Sequence, residues 1–248
     1  MVILQFWRTN TFALIEPPLK ILPPLSSGLI MVPQPFQQGS IMSIDTFIIE
    51  ADKVLRTLFA SQTSVRAHPD KDLAEAELSD AERKHVAGLM RVNHSGEVCA
   101  QALYQGQALT SRDPAVREAL REAAHEEIEH LAWTEQRLKE LGSHTSWLNP
   151  FWYAGSLTMG VLAGKLGDRW NLGFLAETEK QVTAHLQSHL DRLPASDAKS
   201  AAIIEQMAID ETSHAHTAEA LGAAQFPPIA KKMMQQTAKV MTALSYRM

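Results

Sequence analysis

The stretches His125-Glu126-Glu127-Ile128-Glu129-His130 and Asp210-Glu211-Thr212-Ser213-His214 each contain a Glu-x-x-His motif within a segment whose apolar residues recur with a helical period. On a helix, residues three positions apart lie about one turn from each other on the same face. A carboxylate and an imidazole with this spacing can therefore bind the same metal ion. The two stretches predict two helices that carry metal ligands.

Helical periodicity separates these two motifs from two other matches to the same pattern. Glu127 and Glu211 lie on the apolar stripes of their helices, which predicts that both carboxylates point into a core. The match at Glu122 lies on the polar side of its helix and is interpreted as a solvated pair. The match at Glu82 stands at a helix start, where the helix dipole favours an acidic residue. Neither of these two is assigned to a metal site.

Two more glutamates have the same unusual placement. Glu97 and Glu179 lie on apolar helix faces, about thirty residues before Glu127 and Glu211 respectively. A buried carboxylate without a partner is costly unless it is protonated, paired or bound to a cation. The alternative is that these residues are surface charges and core histidines with hydrogen-bond partners. It explains single residues of this kind better than it explains the whole set. The six candidate ligands are Glu97, Glu127, His130, Glu179, Glu211 and His214.

Helix start and stop signals predict the fold. Ser79 or Asp80 is placed to cap a helix that ends before Pro114, and Pro114 suits the first turn of the next helix, which Gly142 ends. Two further helices are predicted at about 169–193 and 198–221, and no sustained strand-like alternation is found. One Glu from each of two helices and Glu-x-x-His from two others is the ligand set of ferritin-like di-metal bundles. We therefore predict an all-α, ferritin-like four-helix bundle, with additional short apolar and amphipathic helices at 44–59, 147–166 and 229–248.

Composition and charge limit the classes of function. The 248 residues carry a formal net charge of −5, so the chain offers no basic field for nucleic acid. Its single cysteine, Cys99, excludes an internal disulfide and a cysteine metal cluster. Mixed carboxylate and imidazole ligands without a thiolate suit iron or manganese. No Gly-x-Gly-x-x-Gly fingerprint is present, so a reductant is expected to come from outside the chain.

Residues 1–41 differ from the rest of the chain, because six prolines and few charges leave no helical period there. We interpret them as a disordered extension or as the product of a mis-assigned start codon. Met42 would then be the true start. The di-iron bundle domain is predicted to occupy residues 42–248.

Three segments together resemble one family: Arg91-Val92-Asn93-His94-Ser95-Gly96-Glu97, the 125–130 stretch and the 210–214 stretch. The chain is similar to the demethoxyubiquinol hydroxylases, often called the Coq7 family, over roughly residues 43–248. The resemblance implies a di-iron monooxygenase of ubiquinone biosynthesis. It would hydroxylate 2-polyprenyl-3-methyl-6-methoxy-1,4-benzoquinol with O2 and electrons from an unidentified reductant.

The resemblance also implies how the candidate ligands divide between two iron ions. Glu97, Glu127 and His130 would bind one ion, with Glu127 as a bridging carboxylate. Glu179, Glu211 and His214 would bind the second ion. Glu211 would be the second bridging carboxylate.

Two apolar segments favour a lipid substrate. Residues 147–166 are aromatic-rich but too short to span a bilayer comfortably, and we interpret them as a peripheral membrane contact or the mouth of an apolar tunnel. The alternative is a crossover helix buried against the bundle. Residues 229–248 combine basic and apolar side chains, which suits anionic lipid or a neighbouring subunit. We expect a peripheral protein on the cytoplasmic side of the cell membrane, with a homo-oligomer or a ubiquinone-biosynthesis complex as its assembly.

Two other classes of function remain open at this point. One is a ferritin-like iron oxidase or storage protein, which needs no organic substrate. The other is a non-enzymatic helical lipid-binding protein, in which the six candidate ligands would have no role.

Overall fold

A computed structural model describes residues 43–248, which form seven α-helices. Within these residues no strand occurs, and the predicted all-α fold is confirmed. The predicted extension at 1–41 and the predicted start at Met42 lie outside the described residues. The helices are α1 Ile44–Phe59, α2 Asp80–Thr110, α3 Pro114–Glu140, α4 Asn149–Lys165, α5 Asp168–Leu190, α6 Ala198–Ala220 and α7 Pro228–Ser245.

Four of these helices form the bundle that positions the candidate ligands. Helix α2 packs against α3 and α5 packs against α6, while α3 contacts α6 and α2 contacts α5. The α2–α3 and α5–α6 connections are short, which makes each pair an antiparallel hairpin. Helix α4 lies in the crossover between the two hairpins. The ferritin-like four-helix bundle with additional helices is therefore the observed architecture.

Local sequence signals explain where the bundle helices begin and end. Ser79 and Glu82 form a capping box at the start of α2, which gives the Glu82 match a structural role. Pro114 occupies the first turn of α3, and Gly142 follows its end with a φ of 67°. Helix α5 ends at Leu190, slightly earlier than predicted, and the chain turns before Pro194.

The apolar core of the bundle is divided along its length. One buried cluster contains Met90, Trp133, Leu186 and Met207. A second contains residues of the same four helices: Tyr104, Ala123, Ala176 and Ala218. The candidate ligands of each helix lie between its residues of the first cluster and its residues of the second. Apolar packing thus shields the polar layer from water at both ends.

Helix α4 is held against α2 by close backbone contact. A Cβ atom at Gly160 would overlap the carbonyl oxygen of Leu103, and one at Gly106 would overlap the carbonyl oxygen of Leu157. Gly160 therefore allows tight packing of α4 on α2 and does not interrupt the helix. The crossover interpretation holds for this face of α4.

The opposite face of α4 and its flanking residues carry large apolar side chains that are exposed. Between residues 43 and 248, no helix combines the length and apolar character needed to cross a membrane. The exposed side chains are Trp147, Phe151, Met159, Leu162 and Leu166.

Helix α7 returns to the bundle at both of its ends. Near its beginning, Lys231 forms an ion pair with Glu177 of α5 at 2.6 Å. Beyond its end, the ring of Tyr246 packs on Gly88, and its hydroxyl lies 2.7 Å from His85 Nδ1. The histidine of the Glu82 match is therefore a packing contact between α2 and the C-terminal residues.

Candidate metal centre

The structure brings all six candidate ligands into one layer of the bundle. None of the six is more than 8% exposed. Their ligand atoms form two groups, within each of which the atoms lie within 4.8 Å of one another, and both groups include Glu211. The groups are Glu97, Glu127, His130 and Glu211, and Glu179, Glu211 and His214. The sequence thus located these side chains correctly, while their binding of metal stays a prediction.

Glu127 and Glu211 occupy the centre of the layer. One carboxylate oxygen of Glu127 lies 2.8 Å from His130 Nδ1 and the other lies 3.4 Å from His214 Nδ1. The two oxygens of Glu211 lie 3.4 Å from His130 Nδ1 and 3.3 Å from His214 Nδ1. Each carboxylate therefore faces both imidazoles, which is the placement that a carboxylate bridging two ions requires.

Glu97 and Glu179 lie toward opposite sides of this pair. Glu97 Oε2 is 3.6 Å from His130 Nδ1. Glu179 accepts a short hydrogen bond from the hydroxyl of Tyr104, which also lies 3.5 Å from Glu127 Oε1. Tyr104, a residue of the second buried cluster, thus contributes a hydrogen bond to the layer.

Within residues 43–248, no lysine or arginine pairs with the four carboxyl groups of the layer, which are balanced by protons instead. Burial raises the pKa of Glu97 and of Glu179 well above its usual range, and neighbouring carboxylates raise both further. Burial alone would lower the pKa of His214, but hydrogen bonds and charge from Glu127 and Glu211 raise it to about 12. The carboxylates therefore attract cations strongly.

This arrangement fits a pair of metal ions. Two divalent cations would balance four carboxylates while both imidazoles stayed neutral and available as ligands. Carboxylate oxygens with a few imidazole nitrogens, and no thiolate within the two groups, suit iron or manganese. The buried Glu and His side chains are thus able to hold metal ions.

Two acidic residues that the sequence analysis missed orient the histidines. Asp210 Oδ2 lies 3.0 Å from His130 Nε2, and Glu126 Oε2 lies 2.9 Å from His214 Nε2. Each acid comes from the helix opposite its histidine. Such contacts place the proton on Nε2 and leave Nδ1 free to bind metal. An acidic residue directly before each Glu-x-x-His glutamate is the sequence signal that would have located both.

The fourth Glu-x-x-His match lies outside the layer. Glu122 and His125 are both exposed on the surface of α3. Their interpretation as a solvated pair is therefore confirmed, and Glu122 serves as a control position on the same helix as Glu127.

Comparison with known proteins assigns the architecture to a family. The family model described as "Ubiquinone biosynthesis protein COQ7" matches residues 84–245, a range that includes all six candidate ligands. The chain belongs to the COQ7 family. The resemblance identified in the sequence is thereby confirmed.

Relatives in the COQ7 family are similar over nearly their whole length. The 3-demethoxyubiquinol 3-hydroxylase of Chromobacterium violaceum is 65% identical over 204 residues, which cover 82% of this chain and 99% of the relative. The enzyme of the same name from Dechloromonas aromatica is 60% identical over 206 residues, or 83% of this chain and 100% of the relative. The enzyme of the same name from Laribacter hongkongensis is 64% identical over 203 residues, which cover 82% of this chain and 98% of the relative.

Proposed function

We propose that the chain is a 3-demethoxyubiquinol 3-hydroxylase that uses two iron ions and O2. The substrate would be 2-polyprenyl-3-methyl-6-methoxy-1,4-benzoquinol. Membership of the COQ7 family and the hydroxylase name carried by relatives of 60–65% identity support the activity. The geometric observation that carries the proposal is that Glu127 and Glu211 each face both imidazoles.

The overall reaction balances with an external reductant. One oxygen atom of O2 replaces a ring hydrogen with a hydroxyl group, and the other leaves as water. This requires two electrons and two protons, which the unidentified reductant and solvent supply. A bound pair of iron ions would provide the reductive activation of O2 that organic side chains cannot perform.

The chain's own residues would hold and shield the centre. Glu97 and Glu179 would each be a ligand of one ion, while Glu127 and Glu211 would be ligands of both. Hydrogen bonds to Nε2 keep each imidazole oriented with Nδ1 toward the layer. The apolar clusters on either side exclude water, which limits loss of oxidising equivalents to side reactions.

An iron and product measurement tests this function. The protein is loaded with Fe2+ without oxygen, its iron is counted, and quinol, reductant and 18O2 are then added. We expect about two irons per chain and one 18O atom in the quinol product. The Glu122→Ala variant should behave like the wild type, because that side chain is exposed on α3. Iron binding without hydroxylated product would favour the iron oxidase or storage alternative.

A protein without metal that still binds quinol would favour the lipid-binding alternative. The hydroxylase names of the relatives favour neither of these two alternatives. Iron content, hydroxylated product and quinol binding together thus separate all three functions.

We also propose peripheral association with the cytoplasmic side of the cell membrane, where a polyprenyl substrate would dissolve. Exposed apolar side chains on α1, α4 and α7 support this proposal. Helix α7 also carries Lys232 and Lys239 near its exposed apolar side chains, and these lysines would suit anionic lipid. The exposed apolar side chains would also suit a homo-oligomer or a biosynthetic complex. They include Phe47 and Phe59 of α1, Phe151 of α4 with Trp147 just before that helix, and Ile229 and Met233 of α7.

Co-sedimentation with lipid vesicles tests the membrane proposal. We expect binding to anionic vesicles that weakens in the double variant Trp147→Ser with Phe151→Ser. Unchanged sedimentation of this variant, or no vesicle binding by the wild type, would count against it.

A further inference from the structure

The linker between α1 and α2 crosses the bundle beside one of the two histidines. The backbone N–H groups of Val65 and Arg66 donate to the carboxylate of Glu129 at 3.0–3.1 Å, and the Ser64 hydroxyl also contacts it. The indole N–H of Trp133 donates to Ser64 Oγ at 3.0 Å. The linker is therefore fixed to α3 by several hydrogen bonds that leave the Arg66 side chain over the helix pair.

Arg66 fixes the acid that orients His130. Its two terminal nitrogens lie 2.8 and 3.4 Å from the two carboxylate oxygens of Asp210. The guanidinium also lies over the ring of Trp133, with its carbon 4.9 Å from the ring centroid. Gln206 donates to Asp210 at 2.9 Å. Asp210 is thus held by two neighbours besides His130, and a fork-like arginine contact adds orientation as well as charge.

The corresponding acid at the other histidine has no such support. The side chain of Glu126 contacts His214, and among residues 43–248 it makes no other hydrogen bond. Its side chain is 47% exposed, whereas that of Asp210 is 12% exposed. The nearly symmetric ligand layer therefore has an asymmetric outer layer.

We propose that Arg66 is a positioning residue that acts through Asp210 to make the two metal positions unequal, so that the ion beside His130 is bound more tightly than the ion beside His214. This inference rests on the proposed di-iron function. An imidazole whose partner is fixed loses less freedom when it binds metal, and its basicity is raised by the hydrogen bond. The partner of His214 is not fixed in this way, so His214 loses more freedom when it binds metal. The ion beside His214 is therefore the one that leaves first.

The test is a titration of the metal-free protein with Fe2+ in the absence of oxygen, followed by calorimetry. Two adjacent cations repel each other, so two binding steps in the wild type do not by themselves decide the question. The variants decide it. We expect Arg66→Ala to weaken the tighter step by up to about tenfold, less than the about 10–100-fold typical of removing the histidine's direct partner Asp210, and to leave the weaker step within about twofold.

Three further variants sharpen the assignment. Asp210→Asn should weaken the same step as Arg66→Ala, whereas Glu126→Gln should weaken the other step. Arg66→Lys keeps the charge but not the fork, and should fall between wild type and Arg66→Ala. Arg121→Ala, an exposed arginine on α3, should change neither step.

The outcomes distinguish this inference from the function on which it rests. Two bound ions with both steps unchanged, or equally weakened, in Arg66→Ala would overturn the inference and leave the di-iron function standing. A selective effect of Arg66→Ala on the weaker step would overturn it as well. If the wild type bound no Fe2+, both the di-iron function and this inference would be wrong. Circular dichroism of each variant ensures that only folded protein is compared.

Discussion

Two groups of buried charged side chains lie along α3, and they balance their charges differently. Near the end of the helix, Arg137 is fully buried and donates to Glu75, Glu140 and Asp197 at 2.7–3.0 Å. In the middle of the helix, Glu127 belongs to a layer of four buried glutamates. Within residues 43–248, no arginine or lysine forms an ion pair with any of those four.

The difference indicates what each group does. Arginine and lysine side chains pair with the acids of this group, because Arg137 contacts all three and Lys199 also contacts Glu75 and Glu140. The group therefore joins α3, α6 and the linker without an external cation. The glutamate layer has no such partner within the described residues and is balanced by protons. Neighbouring carboxylates raise the pKa of His130 and His214, and burial raises the pKa of Glu97 and Glu179. A group that the chain leaves incomplete is the one that an external cation completes.

Removing the central carboxylates should have the largest effect. In a Glu127→Ala, Glu211→Ala double variant, both ions lose the side chains that face both histidines. We expect iron to fall from about two per chain to nearly none and hydroxylation to fall to background. Iron analysis and product analysis measure these effects. Retention of two irons by this folded variant would contradict the assignment of the bridges.

Breaking the buried ion pairs of Arg137 should instead cost stability. Arg137→Ala leaves Asp197 buried without its partner, which should lower the free energy of unfolding by about 3–5 kcal/mol. Denaturant unfolding of the metal-free protein measures it. Arg121→Ala breaks only an exposed pair with Glu118 and should stay within about 0.5 kcal/mol of wild type. Equal losses of unfolding free energy in the two variants would show that the buried ion pairs of Arg137 stabilise the fold no more than an exposed pair does.

Adding metal should stabilise one group and not the other. Fe2+ without oxygen, at a hundred times its dissociation constant, should raise the free energy of unfolding by about 3 kcal/mol. Arg137→Ala should gain as much as wild type, because its defect lies elsewhere. The double variant at Glu127 and Glu211 should gain nothing. Thermal unfolding with and without Fe2+ compares the three proteins, and a gain by the double variant would point to another binding site.

The smallest expected effect concerns Tyr104. Tyr104→Phe removes the hydrogen bond to Glu179 and should cost about 1 kcal/mol of stability and up to about tenfold in Fe2+ affinity. Tyr153→Phe is the matched control, since it removes a buried hydrogen bond to Gln105 in the α2–α4 contact. It should cost similar stability without changing Fe2+ affinity. Equal affinities in both variants would assign Tyr104 to packing alone.

The sequence predicted what depends on neighbours along the chain. Ser79, Pro114 and Gly142 mark helix ends because capping and φ preferences are local. The six candidate ligands were found because helical periodicity places a carboxylate on an apolar face. Their meeting in one layer follows from the bundle. Which metal they bind lies beyond periodicity and stays a prediction.

Contacts between distant segments were not predictable in this way. Arg66 reaches Asp210 across 144 positions of the chain, and no spacing rule relates the two residues. Arg137 likewise meets Glu75 through tertiary packing. Gly160 also brings the backbones of α4 and α2 together through a tertiary contact.

The glycine contact between α4 and α2 also restricts the route of a substrate tail. Gly106 and Gly160 bring the two backbones so close that even one methyl group would overlap the facing carbonyl oxygens. A polyprenyl chain is wider than a methyl group, so the seam between these helices is closed to it. The exposed side chains of Phe151, Met159 and Leu162 follow the outer surface of the same helix. A tail guided by α4 would therefore travel along the outside of this helix and not between α4 and α2.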